Sequence, residues 1–539
     1  MLMSGNKMIA YKKFMIAAAA LTAGIIYYTL QWRESRETAV MPKDILSGNY
    51  TVNMSGTAQR AEQLPDWWLD RLKAAYDEGK WRVAADYARR IAGYYRSLGQ
   101  TKEAEAWYAE SENLWTMDPG TDRRFYDQTP PPPEEVTISL YVSAPAETNR
   151  KLEKFEPVSG AYLGMFGFFD WPQVEQTFGK YHPIGLTYAG WRRDENDKRN
   201  YFPTRLVESI KAAGGGALQI GWEPQYGLAA VRDDDYVRLF ARQARESGMP
   251  IFLRFASEMN GNWVPWYDDP ATYVEKFRLI ANIMKEEAPN VAMVWSPNYV
   301  PADNIDAYYP GDEYVDWVGV SLYSTPITAG EEDFSKNQID YLRPIYEKYS
   351  HKPIMISEGA VSYTYRKTNA NYEKWAEGQI GNMYGFLPRM FPQVKAITYF
   401  NISKSRAESN NFDFLYDLRE NPLMYDKYRR LIQSDYFLTK VEQGARTKEN
   451  IRYEPIGAVS DLKGKRKLFA YVKMPMDIQP HSVAYFQKGK RIGISYQVPW
   501  EIEADFSLLD PDEPITVVVY NDKRETMAQQ SIRWANANR

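Results

Sequence analysis

The sequence contains no cysteine among its 539 residues. A chain without thiols forms no disulfide and has no thiolate nucleophile, no iron–sulfur ligand and no cysteine for lipid attachment. Histidine is scarce as well, because only His182, His351 and His481 occur, far apart and without the spacing of metal ligands. The sequence therefore predicts neither a metal site nor a cofactor.

A strong excess of charge is also missing, since the formal net charge is −4. This balance predicts no general affinity for nucleic acid. Neither a GxxxxGK[ST] nor a GxSxG motif occurs, and the glycines at 214–216 lie between a helix and a strand, where they suit a turn. Aromatic residues are abundant, with 16 Trp and 41 Tyr. This surplus suits sugars, whose C–H faces stack on rings, or simply large cores.

The first 32 residues have the pattern of a membrane signal-anchor. Lys7, Lys12 and Lys13 precede an uncharged stretch over 14–32, and a span needs about 20 apolar residues. The lysines predict a cytoplasmic N-terminus. The protein is then a single-pass membrane protein whose catalytic domain is extracytoplasmic. The alternative is a cleaved signal peptide and a secreted protein, but the apolar run before Ala17 is short for one.

Four regions follow with different patterns. Residues 33–63 form a polar stem, and residues 64–118 show helical periodicity interrupted at Gly99. The helical pattern resembles a tetratricopeptide-type repeat, although a helical hairpin packed on its neighbour is the simpler interpretation. A hairpin of this kind is a possible docking surface for a protein partner. Residues 119–150 contain "TPPPPEE" and predict a stiff, extended linker.

Residues 151–435 alternate between apolar runs and helical patterns. The sequence favours helices over 233–246, 270–287, 336–349 and 372–386. Eight strands in about 285 residues, most of them separated by crossovers, predict a (β/α)8 TIM barrel in the α/β class. The predicted strands are 161–166, 184–188, 217–222, 251–255, 291–295, 317–322, 354–357 and 396–400.

Residues 436–539 lose the helical periodicity and contain short β-rich runs such as "KLFAYVKMP" and "ITVVVYND". Turn residues, among them Lys488-Gly489, separate these runs. The pattern predicts an all-β sandwich of about 100 residues. Such a domain binds carbohydrate or stabilises its neighbour, and the sequence leaves both roles open.

Two glutamates follow barrel strands at the end where catalysis takes place. Glu258 comes after the fourth strand in "RFASEMNGNW", and Glu358 ends the seventh in "PIMISEGAVSY". They are 358 − 258 = 100 positions apart, so only the carboxyl end of a barrel brings them together. A single glutamate at a strand end is usually a solvated surface acid. Two of them beside aromatic residues suit glycoside hydrolysis, in which one carboxyl protonates the leaving oxygen and the other attacks or activates water.

The motifs "RFASEMNGNWVPW" and "YYPGDEYVDWVGVSLY" resemble those of glycoside hydrolase family 26, which includes the β-mannanases. The resemblance covers 151–435 and is strongest over 250–360. It implies that Glu258 is the acid/base and Glu358 the nucleophile of a retaining mechanism. It also implies that Tyr323 donates a hydrogen bond to the nucleophile.

Further side chains are predicted to bind substrate. The resemblance implies that Trp263, Trp266 and Trp295 line or support sugar subsites, and a core position is an equal alternative for Trp295. Side chains at or near the same strand ends complete the predicted substrate-binding set: Arg254, Asn260, Trp222 and Tyr323.

Three positions depart from the family pattern. Ser257 stands where the family usually has histidine, Gly359-Ala360 follow the nucleophile in place of an aromatic and a glycine, and the eighth strand ends in Tyr399-Phe400-Asn401 instead of presenting a tryptophan. All three fall around the central subsite. They bear on whether mannan itself is the substrate.

The sequence as a whole predicts a membrane-anchored endo-β-glycanase that hydrolyses a β-mannan-like polysaccharide or an exopolysaccharide with retention. The alternative is a non-catalytic protein that uses the barrel cleft to bind or assemble a polysaccharide. Two apposed carboxyl groups favour the enzyme, since a binding protein has no need of them.

Overall fold

The computed structural model describes residues 66–117, 136–147, 150–328, 331–334, 336–410, 412–460 and 462–534. The predicted signal-anchor and stem lie outside these residues, as does the proline run. Among the helices described, none combines the length and apolarity needed to span a membrane. The described residues fall into two compact units, one within 66–117 and one from 136 onward.

The first unit contains three helices, Asp66–Asp77, Trp81–Ser97 and Thr101–Met117. The predicted hairpin corresponds to the second and third, so the prediction lacked one helix. Ala84 and Ala88 are completely buried in the second helix, as is Ala104 in the third. Side chains of this size allow close approach of helix backbones. The first helix packs on the second through the rings of Trp68 and Tyr94, whose centres lie 6.2 Å apart edge to face.

The second unit contains the predicted (β/α)8 barrel. Its eight parallel strands pair in chain order, and the eighth closes on the first, where Ala396 pairs with Tyr162. The predicted barrel is therefore confirmed. The barrel strands, numbered one to eight below, are Ala161–Phe166, Ile184–Gly190, Ala217–Glu223, Ile251–Phe255, Val291–Trp295, Trp317–Ser321, Ile354–Gly359 and Val394–Phe400.

Helices surround the strands, and their first residues follow from capping. The helix predicted from 233 begins at Asp235 because the Asp234 side chain accepts the free backbone N–H groups of the first turn. Strands five and six are joined by a short 3-10 helix, Ile305–Tyr308, instead of an α-helix. The α-helices are Pro172–Phe178, Thr204–Ala212, Asp235–Ser247, Pro270–Glu287, Gln338–Tyr349, Glu373–Gly381, Leu387–Met390, Lys404–Ser409 and Pro422–Ile432, with a π-helix at Asn382–Phe386.

The barrel interior changes from apolar to polar along its axis. Its amino end is filled by buried side chains such as Phe252 and Trp317. Phe155, from the segment before strand one, packs against Phe252 at 5.6 Å between ring centres. Farther along, the inward-facing Gln219 donates to the Ser357 carbonyl and accepts from the Thr398 hydroxyl. This polar layer lies beneath the carboxyl ends of the strands.

The C-terminal region forms two four-stranded antiparallel sheets. The strand Thr137–Pro145 lies inside one of them, between Ile451–Pro455 and Lys465–Lys473. The predicted linker over 119–150 is therefore too long, because the β-prone run "TISLYV" directly follows the proline-rich segment and joins a distant sheet. The remaining strands are Ile502–Asp505 in the first sheet, and Ser482–Gln487, Lys490–Ser495, Ile515–Tyr520 and Thr526–Ile532 in the second.

Candidate active site at the mouth of the barrel

The chain bends sharply where it leaves strand four. Ala256 and Glu258 both have left-handed backbone angles, with φ of 47° and 58°, a conformation that costs a non-glycine residue about 1–3 kcal/mol. The Glu258 N–H donates to the Ser296 carbonyl at 2.8 Å, which holds the bend against strand five. The Glu258 side chain is completely buried.

Trp263 forms a hydrogen bond of regular geometry with the Glu258 carboxyl group, and the nearby Ser321 hydroxyl also lowers the pKa of this group. Trp263 Nε1 donates to its Oε2 at 2.7 Å, whereas Oε1 is buried without a hydrogen-bond partner in the part of the chain described here. Burial raises the pKa of Glu258 to about 7, and repulsion from Glu358 adds to the shift. Near neutral pH this carboxyl therefore exchanges readily between its protonated and ionised forms.

Trp263 can lie close to Glu258 because position 261 is glycine. A Cβ atom on Gly261 would lie 2.2 Å from the Trp263 ring. The indole therefore packs directly on the backbone of the loop that carries Glu258. The Trp263 residue as a whole is half-buried.

Glu358 is also completely buried but is surrounded by donors. Arg254 Nη1 donates to Glu358 Oε2 at 2.9 Å. The hydroxyl of Tyr188 donates to the same oxygen and that of Tyr323 to Oε1. Burial, together with the negative charge of Glu358, raises the pKa of both tyrosines far above the usual range, so they remain neutral donors. One cation and two hydroxyl donors thus surround the two carboxyl oxygens of Glu358.

Arg254 lies beneath the cleft and holds Glu358 in place. Its Nε donates to Ser296 Oγ at 3.2 Å, and its Nη2 donates to Ser321 Oγ at 3.3 Å. The guanidinium is completely buried. The structure therefore places this predicted substrate-binding residue where it orients the carboxylate.

Asn260 and Trp266 support the loop of Glu258. The Asn260 amide donates to the carbonyls of Asn298 and Pro301 at 2.9 and 2.7 Å, and its oxygen accepts from the Asn298 N–H. Trp266 is buried and its Nε1 donates to the Ser257 carbonyl at 2.8 Å. Both residues connect the loop to its surroundings, and their hydrogen-bonding groups are directed at the protein.

Trp222 and Trp295 lie on the other side of the strands. Each is completely buried and follows an inward-facing residue, so its side chain points to the helices. The Trp222 ring stacks on Phe240 at 4.0 Å between centres. The Trp295 ring contacts that of Tyr349 at 5.1 Å. The structure does not bring these two predicted subsite residues to the cleft, and for Trp295 it favours the core alternative.

The sequence analysis did not assign a role to Glu223. Strand three extends one residue beyond its predicted end, and Glu223 pairs there with Gly190. It lies two positions after Gly221, whose Cβ would contact Tyr188 inside the barrel, so the Glu223 side chain also faces inward. Burial raises the pKa of Glu223 to about 8, and repulsion from Glu358 contributes. If strand three had been predicted to extend to residue 223, the alternation of inward and outward side chains would have placed Glu223 in the cleft.

A pair of phenyl rings lines the cleft next to Glu358. Phe166 and Phe400, at the ends of strands one and eight, stack 4.5 Å apart with an interplanar angle of 6°. Phe166 contacts Tyr188 at 5.5 Å, and Phe400 contacts Tyr323 at 6.1 Å. Of the three residues that end strand eight, Phe400 is the one that faces the interior.

The other departures from the family pattern are also accommodated by packing. Ser257 is buried, with its carbonyl bonded to Trp266. A Cβ atom on Gly359 would lie 2.8 Å from the Leu322 carbonyl oxygen, so this position has no room for a side chain. Among the residues with described positions, no cluster of His, Asp and Glu has the arrangement of a metal site.

Comparison with family models gives a match over part of the chain. The sequence model described as glycosyl hydrolase family 26 matches residues 227–384. Endoglucanase H from Acetivibrio thermocellus is 29% identical over 208 residues, which are 35% of this chain and 22% of that protein. The β-1,3-xylanase TXYA of a Vibrio species is 27% identical over 163 residues, 29% of this chain and 34% of that protein. The chain thus spans about a fifth and a third of these relatives.

Among solved structures, a family 26 β-mannanase from Bacteroides ovatus covers 52% of this chain and 90% of its own, with 16% identity and a TM-score of 0.38. The matched segment 227–384 contains both buried glutamates and lies within the barrel. The resemblance that the sequence motifs predict is confirmed by the family model, which matches this part of the barrel.

Proposed function

We propose that the protein uses this cleft to hydrolyse internal bonds of a β-linked polysaccharide, with retention of anomeric configuration. One observation carries the proposal: two buried carboxyl groups at one barrel mouth have opposite surroundings. Glu358 has a cation and two hydroxyl donors. Glu258 has one donor and a raised pKa. Environments that separate the protonation of two carboxyls are typical of acid/base pairs in glycosidases.

In the first step, Glu258 gives its proton to the leaving glycosidic oxygen while the Glu358 carboxylate attacks the anomeric carbon. The C–O bond to the leaving sugar breaks and a covalent glycosyl-enzyme forms. In the second step, the ionised Glu258 takes a proton from water, whose oxygen attacks the same carbon and releases Glu358. A pKa near 7 suits a group that acts first as acid and then as base.

The remaining residues position this pair. Arg254, Tyr188 and Tyr323 orient the Glu358 carboxylate, and Arg254 offsets its charge. Trp263 fixes one oxygen of Glu258 and leaves the other free to face the leaving group. The half-buried Trp263 also provides a surface on which a sugar ring can stack.

The test combines reducing-end release with stereochemistry. The full chain is incubated with β-1,4-mannan, mixed-linkage β-glucan, β-1,3-xylan and bacterial exopolysaccharides, and the anomeric form of the first product is followed by NMR. We expect a β product that later mutarotates. The Glu358→Ala variant should lose turnover, and azide should restore it with inverted product. A native enzyme that inverts, or a Glu358→Ala variant with normal turnover, contradicts the mechanism.

The binding-protein alternative predicts a different result from the same assay. A protein that only holds polysaccharide releases no reducing ends from any polymer, although it retains affinity in both wild type and Glu358→Ala. No feature of the described cleft favours this alternative over hydrolysis.

We also propose, from the sequence alone, that the chain is anchored in a membrane by residues 14–32 with the barrel outside the cytoplasm. Lys7, Lys12 and Lys13 support this orientation. Protease added to intact cells should digest the barrel, and a fully protected barrel contradicts the topology. A protein partner for the helical unit stays a prediction.

A further inference from the structure

An arginine extends over the aromatic wall of the cleft. Arg406 belongs to the helix Lys404–Ser409, which follows strand eight, and its Cζ lies 5.3 Å from the centre of the Phe166 ring. The side chain is exposed. Within the described part of the chain, its guanidinium forms no ion pair and no hydrogen bond.

Arg406 lies close to the reacting centre. Phe166 faces the barrel mouth and contacts Tyr188, and the Tyr188 hydroxyl donates to Glu358. Only one ring and one phenol thus separate the guanidinium from the carboxylate that we propose as nucleophile. A sugar bound beside Glu358 therefore has Arg406 at its edge.

Two other cations in the loops after strands seven and eight do have acidic partners. Arg419 also lies over a phenyl ring, that of Phe168, at 5.3 Å. Its Nε and Nη2, however, both donate to the Asp417 carboxylate, at 2.9 and 2.6 Å. In the loop after strand seven, Lys367 forms an ion pair with Asp413 at 2.8 Å. The five donor hydrogens of Arg406 remain available to a ligand.

The charges of the cleft do not oppose an anion. The negative charge of Glu358 is offset by Arg254, whose Nη1 lies 2.9 Å away. Burial raises the pKa of Glu258 to about 7 and that of Glu223 to about 8, so below neutral pH both are largely neutral. Arg406 then adds a positive charge to a cleft whose buried groups nearly cancel.

We infer that Arg406 binds an anionic group of the polysaccharide, the carboxylate of a hexuronic acid, in the sugar subsite beside Glu358. The planar guanidinium matches a carboxylate with two parallel hydrogen bonds. The Phe166 ring beneath it holds the cation through its negative face. This inference rests on the proposed function and names the substrate class of the same cleft.

The experiment uses polymers that differ only in the group to be tested. β-1,4-Mannan and β-1,4-polymannuronate have the same ring configuration and differ at C6. This carbon belongs to a hydroxymethyl group in mannan and to a carboxylate in polymannuronate. β-1,4-Glucan and β-1,4-glucuronan form a second such pair. For the full chain and each variant, kcat/KM is measured on all four polymers, and binding of the uronate oligomers is measured by calorimetry.

The variants are Arg406→Gln, which removes the charge, Arg406→Lys, which keeps it, and Lys404→Gln as the matched control. Lys404 lies on the same short helix and is exposed. We expect the wild type to prefer uronate polymers. Arg406→Gln should lower kcat/KM on them about tenfold or more, the effect of one charge-assisted hydrogen bond. It should change the neutral polymers less than about twofold, Arg406→Lys should retain part of the activity, and Lys404→Gln should resemble wild type.

The outcomes separate the two proposals. Hydrolysis of neutral polymers alone, or equal effects of Arg406→Gln and Lys404→Gln, overturns the inference and leaves the hydrolase intact. Absence of turnover on every polymer contradicts the hydrolase. In that case, calorimetric binding of polymannuronate or glucuronan that Arg406→Gln weakens still supports the anion subsite, and binding that it leaves unchanged overturns it. Circular dichroism and Tm establish that each variant is folded.

Discussion

Two places in the second unit bury a carboxyl group, and they differ in how its oxygens are satisfied. At the barrel mouth, Glu258 has the Trp263 N–H on one oxygen and no partner among the described residues on the other. Where the barrel meets the C-terminal sheets, Asp477 accepts from the Asn337 amide on one oxygen and from Gln379 and Asn382 on the other.

The backbone does not distinguish the two sites. Glu258 and Asp477 both have left-handed angles, with φ of 58° and 51°, and burial raises the pKa of both, to about 7 and about 6. What differs is the hydrogen bonding. A carboxyl that is fully bonded to amides on neighbouring elements is equipped to hold those elements together. A buried carboxyl with a free oxygen beside a second acid is equipped to exchange a proton with a ligand.

The largest effect that would test this distinction is expected from Glu258→Ala. Turnover of polysaccharide should fall by about three orders of magnitude or more, because removing a proton-transfer group costs roughly 10²–10⁴-fold. Aryl glycosides with an activated leaving group need no protonation, so their rate should fall far less. Stopped-flow release of the phenol measures this difference, and equal losses on both substrates would exclude Glu258 as the acid.

The second effect concerns the fold. Asp477→Ala should lower the free energy of unfolding by about 2–4 kcal/mol, because three buried amide donors lose their acceptor. Turnover measured below the new Tm should stay near that of wild type. The matched control is Asp512→Ala, an exposed acid of the same region, which should change Tm little. A strong loss of kcat in Asp477→Ala would make the junction part of the active site.

The loss of stability in Asp477→Ala should also depend on pH, in a direction that the pKa of Asp477 determines. The pKa of Asp477 is raised to about 6 in the fold, above the ordinary value of about 3.9. The folded state therefore binds this proton more tightly, and its stabilising contribution is lost as the pH rises through about 6. The difference in Tm between wild type and Asp477→Ala should accordingly be larger at pH 5 than at pH 8. A difference that grows with pH would show that the carboxylate form is preferred.

A smaller effect is expected from Trp263→Phe, which removes the donor to Glu258 and keeps an aromatic ring. The indole hydrogen bond lowers the pKa of Glu258, so its loss should raise that pKa. In the proposed mechanism Glu258 acts in its protonated form, so the alkaline limb of kcat/KM should move to higher pH. Trp534→Phe, whose indole donates far away to the Glu513 carbonyl, serves as control. A limb that stays in place would remove Trp263 from the proton-transfer site.

The smallest effect is expected from Glu223→Gln. Below neutral pH the Glu223 carboxyl is neutral, and the amide resembles it in size and in hydrogen bonding, so kcat/KM should change less than about threefold. Ionisation of Glu223 near pH 8 should add a second step to the alkaline limb of the wild-type pH profile of kcat/KM. The Glu223→Gln variant should lack that step. Identical pH profiles would show that Glu223 does not influence the reaction.

The sequence predicted the barrel well because buried parallel strands are apolar and helix ends carry caps. The eight strands were recognised as short apolar runs, and helix starts such as Asp235 follow directly from the capping residue before them. The sequence did not predict the strand Thr137–Pro145, which it assigned to a linker. The partners of this strand, Ile451–Pro455 and Lys465–Lys473, are more than three hundred residues away in the chain. No local pattern contains that pairing.

The candidate site shows the same contrast between what local sequence patterns predict and what long-range contacts decide. The sequence by itself determined which residues we propose as the catalytic pair, because Glu258 and Glu358 follow strands of a recognisable barrel and their surrounding motifs are specific. Only the tertiary structure decided which neighbours touch them. Strand alternation turns Trp222 and Trp295 toward the helices. Closure of the barrel brings Tyr188 to Glu358 across 170 positions. The physical reason is that a strand end fixes where a side chain starts, whereas sheet closure and side-chain direction fix what it meets.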